Sequence, residues 1–147
     1  MAMDEYAQAL DVVNLLHRLS RSLADDIREH VKGAADLGIS EFFMLWEITS
    51  GTATAGDISR ALSSHPAATS RALTQLAREG YIDRRPDLSD SRRNVVTLTE
   101  HGQRVVDQIA SRIRPRLQQR MDRLAPGQAA SLITALQTLL DESGTHD

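Results

Sequence analysis

Apolar residues recur at three- and four-residue spacing in three parts of the chain. The first series runs from Tyr6 to Val31 and predicts an amphipathic helix of about seven turns. The second runs from Val105 to Leu124, and Pro115 within it removes one backbone hydrogen bond, which predicts a kink. A third, shorter series predicts a last helix whose inward stripe holds Leu132, Ile133, Leu136, Leu139 and Leu140. The pattern therefore predicts helices at both ends of the chain.

Shorter segments lie between these helices. Residues 41–49, EFFMLWEIT, are apolar nearly all round, which predicts a helix enclosed on several sides, with Ser40 as its N-cap. After a break rich in glycine and threonine, Thr54 and Asp57 have the spacing of a capping box. A short helix is therefore predicted to follow Thr54.

The next helix is predicted to begin near Pro66 and to stop at Gly80. Ser64 or His65 can cap its first turn. Helical spacing places one set of residues inward: Thr69, Ala72, Leu73 and Leu76. The same spacing leaves another set on or near the outer face: Ala67, Ser70, Arg71, Thr74 and Arg78.

Two strands are predicted after this helix. Residues 81–85 and 94–99 are rich in β-branched side chains or alternate polar with apolar residues, and the proline, aspartate and serine between them predict a turn. Two helices followed by a hairpin with a charged tip form a winged helix-turn-helix, in which the second helix enters the major groove. The predicted fold class is mainly α with a small β-hairpin wing (α+β).

Length and composition narrow the class of protein. A chain of 147 residues fits one domain, and the absence of cysteine excludes disulfides and thiolate metal sites. No stretch approaches the ~18 apolar residues of a membrane span, and the amino terminus lacks a signal-peptide pattern. We therefore expect a cytoplasmic protein without a membrane partner. No nucleophile elbow, phosphate loop or HExxH motif is present, so we do not expect an enzyme.

The charge is distributed unevenly. The net charge is −3, but residues 54–99 carry seven basic and five acidic side chains and are the only net-positive third of the chain. Sixteen of the seventeen basic residues are arginine, which favours bidentate contacts to phosphate, guanine or carboxylate. A genome-wide base composition would produce the same bias toward arginine.

The wing sequence DLSDSRRNVVTLTEHG is similar to a motif of the MarR family of bacterial transcription regulators, D-P-x-D-R-R-x-x-x-V-x-L-T-x-x-G. The matching positions are Asp87, Asp90, Arg92, Val96, Leu98, Thr99 and Gly102. Leu88 and Ser91 depart from the motif, which has proline and arginine there. The segment ATSRALTQLAREGYIDR also resembles the recognition helix of the family, through Arg71, Leu73, Leu76, Gly80, Ile82 and Arg84.

The resemblance, which covers residues 35–142, implies a homodimer that binds a roughly palindromic DNA operator and represses genes until a small molecule alters its geometry. It implies one domain over residues 1–147, with the DNA-binding winged helix-turn-helix at 53–99. Residues 1–32 and 100–143 would be dimerisation helices.

Eight residues are candidate DNA contacts: Ser64, His65, Ala67, Ser70, Arg71, Thr74, Arg92 and Arg93. Arg71 can read guanine or hold a phosphate, and Arg92 can reach the backbone or the minor groove. Asp90 would orient a wing arginine by pairing with it. The alternative is a solvated wing salt bridge and an ordinary polar surface.

The effector site is predicted only in outline. The resemblance implies a pocket between the first two helices and the winged part, so a small-molecule effector, such as an anionic aromatic, would contact His17, Arg21, Phe42 and Trp46. The alternative is that Phe42 and Trp46 belong to the core and Arg21 is a surface residue. The five histidines have no short ligand spacing, so neither a metal nor another cofactor is predicted.

A function of another class stays open. A winged-helix protein-interaction module, or an adaptor that has lost DNA binding, would fit the acidic overall charge. Salt dependence discriminates the two, because each phosphate neutralised by a DNA-binding protein contributes about −0.9 to the log–log slope of affinity against salt.

Overall fold

The computed structural model describes residues 2–34, 36–51, 54–90 and 92–141. These residues form helices and one antiparallel hairpin: α1 (Ala2–Ala34), α2 (Ile39–Thr49), α3 (Ala55–Ala61), α4 (Pro66–Arg78), β1 (Ile82–Pro86), β2 (Asn94–Leu98), α5 (Glu100–Met121) and α6 (Gln128–Leu140). The chain divides into two compact units, residues 1–112 and 113–147. No helix in the described part is long and apolar enough to cross a membrane.

Helix α2 begins two residues earlier than the sequence indicated, at Ile39 instead of Glu41. Gly38, in an extended conformation, is the N-cap and makes no side-chain cap, whereas Ser40 lies inside the first turn. The prediction of Ser40 as the cap is therefore wrong. The helix is also less enclosed than expected. Phe42 is buried, but Trp46 is 44% exposed.

Helices α3 and α4 pack against each other in the first unit. The Thr54 hydroxyl accepts a hydrogen bond from the Asp57 amide at 3.1 Å, which confirms Thr54 as the cap of α3. Ile58 of α3 and Leu73 of α4 are fully buried. The two helices therefore pack through the apolar positions that helical spacing had placed inward.

A hydroxyl network holds the turn between α3 and α4. Ser59 Oγ donates to the Ser64 carbonyl at 2.6 Å, and the hydroxyls of Ser64 and Thr69 lie 2.5 Å apart. Thr69 has no exposed surface. The network fixes the point from which α4 starts, and hence where its outer face points.

We expect Thr69→Val to destabilise the first unit by about 1–2 kcal/mol, because it removes the partner of the Ser64 hydroxyl while conserving shape. Urea denaturation measures the change. Thr134→Val is the matched control, since the exposed Thr134 hydroxyl bonds only to its own helix, at the Ala130 carbonyl. That control should stay within about 0.5 kcal/mol of wild type. Equal stability of Thr69→Val and wild type would contradict the role given to the network.

The hairpin is anchored at both ends. Ile82 pairs with Leu98, and Arg84 pairs with Val96, in the register of β1 with β2. A further bridge joins Thr54, at the start of α3, to β2. The wing therefore starts from a base fixed to the helix-turn-helix.

Helix α6 differs from the expectation of an inward apolar stripe. It follows Gly127, whose φ of 84° lies in the left-handed region that favours glycine. No residue of α6 is buried within the chain, and Ile133 is 55% exposed. The apolar stripe exists, but one chain does not cover it. Earlier in the second unit, α5 continues through Pro115, and the kink predicted there stays a prediction.

Candidate nucleic-acid interface

The start of α4 uses two of the predicted contact residues as structural groups. His65 is the N-cap, and its Nδ1 accepts a hydrogen bond from the Ala67 amide at 3.2 Å. An accepting Nδ1 leaves the proton of the neutral ring on Nε2, where it can donate outward. The Ser64 hydroxyl is half-buried and is engaged with Thr69. Of this pair, His65 is the more exposed residue.

The outer face of α4 presents Ala67, Ser70 and Arg71, all of them exposed. Thr74 is half-buried and less available than expected. Its hydroxyl donates to the Ser70 carbonyl at 3.0 Å and accepts from Arg84 Nη1 at 3.2 Å. Thr74 therefore joins α4 to β1, and Arg71 is the long side chain free to reach outward.

Arg84 of β1 holds α4, the helix that resembles the recognition helix of the family, through hydrogen bonds. Besides its bond to Thr74, its Nη2 donates to the Ser70 carbonyl at 3.4 Å. Its Nε is buried and finds no hydrogen-bond partner among the described residues. Sequence reasoning missed this role, although Arg84 matched the family segment, because the contact spans ten positions of the chain.

The wing tip places Arg92 and Arg93 in solvent. Asp90 was expected to pair with a wing arginine, but it does not pair with the Arg92 guanidinium. Its carboxylate accepts from the Arg92 backbone amide at 3.0 Å, and its carbonyl accepts from the Arg93 amide at 3.0 Å. Asp90 therefore shapes the backbone of the turn and leaves the guanidinium of Arg92 free of ion pairs with the described residues. Ser91 lies outside those residues.

Asp87 begins the same turn and stays ionised. Hydrogen bonds from the backbone amide and then the hydroxyl of Ser89 hold the pKa of Asp87 below its usual range, and Arg93 adds to the effect. Asp57 at the start of α3 behaves alike, since the Thr54 hydroxyl and then Arg60 lower its pKa. Both carboxylates are therefore occupied by neighbouring donors.

A cleft of about 320 Å³ opens between the starts of α3 and α4 and the wing. Four arginines line it, Arg60, Arg84, Arg92 and Arg93, and no carboxylate is among the described lining residues. Arg60 also pairs with Asp57. The sequence placed only the two wing arginines here, because no short-range pattern joins α3 to the hairpin. The cleft is a strongly positive surface suited to phosphate.

The proposed effector residues do not share one environment. Phe42 is 2% exposed and stacks at an angle on Phe43 and Trp46, with ring centroids 5.5 and 6.5 Å away. His17 and Arg21 are exposed on α1 and make no hydrogen bond to the described residues. Phe42 thus belongs to the core, as the alternative interpretation held, and the effector site stays a prediction.

The described residues contain no group of three histidine, aspartate or glutamate side chains placed to hold an ion. His146 lies outside them.

Comparison with known proteins connects this geometry to a family. Residues 37–94 match the model of the MarR family. No match is found among curated proteins. Among solved structures, a mutant of MarR from E. coli complexed with operator DNA is 23% identical, with a TM-score of 0.75 over 91% of this chain and 96% of that one.

Two further structures have the same fold. BpsR from Bordetella bronchiseptica is 20% identical, with a TM-score of 0.74 over 90% of this chain and 94% of that one. A mutant of MepR from S. aureus, bound to an oligodeoxyribonucleotide, is 21% identical, with a TM-score of 0.61 over 88% and 95%. Likeness at this identity establishes the fold and confirms the winged helix-turn-helix prediction. Residues 37–94 thus match the MarR family model, and the chain is similar in fold to a MarR structure over about nine-tenths of its length.

Proposed function

We propose that this protein is a sequence-specific DNA-binding transcriptional regulator, a repressor that binds a palindromic operator as a homodimer and releases it on binding a small molecule. The observation that carries the proposal is the positive cleft joining α4 to the wing. The match of residues 37–94 to the MarR family model supports it, as do the E. coli and S. aureus structures of this fold that contain DNA.

The recognition helix would read the major groove. Arg71 is exposed on the outer face of α4, and a guanidinium in that position can bind guanine O6 and N7 with two hydrogen bonds. Ser70 and Ala67 lie on the same face and fit closely against base edges because they are short. His65 Nε2, at the helix start, would donate to a phosphate. Ser64 and Thr74 would then act indirectly, by fixing α4.

The wing would hold the flank of each half-site. Arg92 and Arg93 are exposed at the tip, and guanidinium groups are attracted by the negative potential of a narrow minor groove. The single carboxylate of Asp90 accepts from the Arg92 backbone amide and is outnumbered by the two guanidinium groups. The wing would thereby bind the minor groove while α4 binds the major groove.

Two exposed apolar surfaces support the homodimer. The first half of α1 exposes Leu10 and Val13, and α6 exposes Ile133 and Leu140. Monomeric proteins rarely expose such continuous apolar helix faces. A two-fold dimer of helix-turn-helix units reads half-sites about one turn, ~34 Å, apart.

The effector would act by linkage. A ligand that binds the DNA-free form more tightly lowers operator affinity by the ratio of its two affinities. An anionic aromatic would find the Arg21 guanidinium and the His17 ring exposed on α1, and the exposed Trp46 ring, which packs on Phe42, on α2. Titration of aromatic carboxylates into the protein–DNA complex tests this, and Arg21→Ala should abolish any release that such a ligand causes.

Fluorescence anisotropy tests the function itself. The purified protein is titrated onto the DNA upstream of its own gene and onto a scrambled duplex at several salt concentrations. We expect a preference of about 1000-fold for the native duplex, with a negative slope of log affinity against log salt. Absence of binding, with or without candidate ligands, would favour the protein-interaction module instead.

We expect Arg92→Ala to weaken operator binding about tenfold and to make the salt slope less negative by about 0.9, since one cation is lost from the DNA surface. The fold should be unaffected, because the side chain is exposed. Arg104→Ala removes the same charge from an exposed position on α5 and should bind like wild type. Equal affinities for the two variants would exclude the wing from DNA binding.

A further inference from the structure

A large apolar side chain stands alone at the tip of the wing. Leu88 has a relative accessibility of 106%, so it contacts essentially none of the surrounding protein. A single exposed leucine is ordinary on a protein surface. This one is notable for its position, between β1 and the two wing arginines that face outward.

Hydrogen bonds hold the turn that presents Leu88. The Asp87 carboxylate accepts from the Ser89 amide at 3.0 Å and from the Ser89 hydroxyl at 2.9 Å, which closes the backbone around Leu88. The Asp87 amide donates to the Arg93 carbonyl at 2.8 Å. Hydrogen bonds of Asp87 therefore hold the backbone on both sides of Leu88, whose side chain does not fold back against β1 or β2.

The charge around Leu88 indicates what covers it. Residues 84–93 contain four arginines and two aspartates, a net charge of +2, in a chain whose total is −3. Both aspartates accept hydrogen bonds from the turn itself. A positive surface with one exposed apolar side chain is complementary to a polyanion that also has an apolar surface between its charges. The minor groove of DNA has both properties, because sugars and base edges line it between two rows of phosphates.

We propose that Leu88 packs into the minor groove at each flank of the operator as an apolar wedge, and that it makes affinity depend on how easily the contacted base step unstacks. This inference rests on the proposed DNA-binding function. Leucine and similar side chains act as wedges in minor-groove proteins, and pyrimidine–purine steps unstack most easily. Leu88 thus determines specificity through DNA deformability, while Arg71 reads base edges.

Selection from a randomised duplex library tests the wedge. Wild type and Leu88→Asn, which conserves size and removes the apolar character, are each used to select DNA. The wild type should enrich pyrimidine–purine steps at the flanks of its half-sites. Leu88→Asn should select the same half-sites without the flanking steps, and should bind the wild-type duplex about five- to tenfold more weakly.

Salt dependence and a conservative variant separate the wedge from a phosphate contact. Leu88→Asn should leave the salt slope unchanged, because no cation is lost, whereas Arg92→Ala should change it. Leu88→Met should restore the flank preference, since methionine is apolar and of similar volume. Thermal unfolding of each Leu88 variant should match wild type, given the full exposure of the side chain.

The outcomes are distinguishable. If Leu88→Asn selects the same flanks as wild type with equal affinity, the wedge is excluded and the proposed function stands. If the wild type enriches no duplex at all, the proposed function and the wedge both fail. A changed salt slope for Leu88→Asn would also overturn the wedge, because it would mean that the substitution disturbs the arginines.

Discussion

Replacing Ile133 with glutamate is expected to convert the protein to a monomer and to lower its affinity for a palindromic operator at least about a hundredfold. Ile133 lies on the apolar stripe of α6, is 55% exposed, and belongs to a helix with no buried residue. If a second copy covers this stripe, a carboxylate there loses its hydration without a partner. The two half-sites would then be bound by separate molecules, and the gain from linking them would disappear.

Thr138→Glu is the matched control on the same helix. Thr138 lies on the polar side of α6, where its hydroxyl bonds back to the Thr134 carbonyl at 2.9 Å. The Thr138→Glu substitution adds the same charge away from the apolar stripe, so the dimer and its DNA affinity should persist. Light scattering coupled to size exclusion measures the mass, and anisotropy measures the affinity. A dimeric Ile133→Glu variant would show that α6 lies outside the interface.

Local patterns predicted the parts of the fold that depend on near neighbours in the chain. The cap at Thr54, the start of α4 at Pro66 and its stop before Gly80 each follow from residues within a few positions. The buried positions of α4, such as Leu73, follow from helical spacing. The wing was recognisable because one short motif contains both its turn and its second strand.

Contacts between distant parts of the chain were not predictable in this way. Thr74 looked like a DNA contact by helical spacing, yet Arg84 engages its hydroxyl from the next element. Asp90 was expected to bind a guanidinium but bonds to a backbone amide, which depends on the conformation of the turn. Arg60 lines the positive cleft because the fold brings α3 beside the wing, and no local pattern in the sequence indicates this contact.

The apolar stripe of α6 shows a different limit. Spacing predicted correctly that its leucines and Ile133 share one face, but a pattern of apolar residues does not state which surface will cover them. In one chain Leu136 is half-buried, and the others stay exposed: Leu132, Ile133, Leu139 and Leu140. The same ambiguity applies to Trp46, which an apolar sequence placed in the core and the structure leaves 44% exposed.

The joint between the wing and α5 depends on one glycine. The Thr99 amide donates to the Tyr81 carbonyl at 3.0 Å, and the Thr99 hydroxyl donates to the Gly80 carbonyl at 2.6 Å. The same hydroxyl accepts from the Gly102 amide at 3.0 Å and so caps α5. Gly102 is buried, and a Cβ at this position would overlap the Tyr81 carbonyl oxygen. The close approach that joins α5 to β1 therefore requires a residue without a side chain.

Gly102→Ala is accordingly expected to destabilise the protein by about 3 kcal/mol, because backbone and not a flexible side chain must move. Gly56→Ala in α3 is the control: the nearest atom to its Cβ is Thr54 Oγ1 at 4.0 Å, so it should be neutral or stabilising by up to about 1 kcal/mol. Urea unfolding at equal protein concentration compares the three proteins, since a dimer gains stability with concentration. Wild-type stability for Gly102→Ala would mean that α5 starts away from β1, and the base of the wing would then lack the support assigned to it.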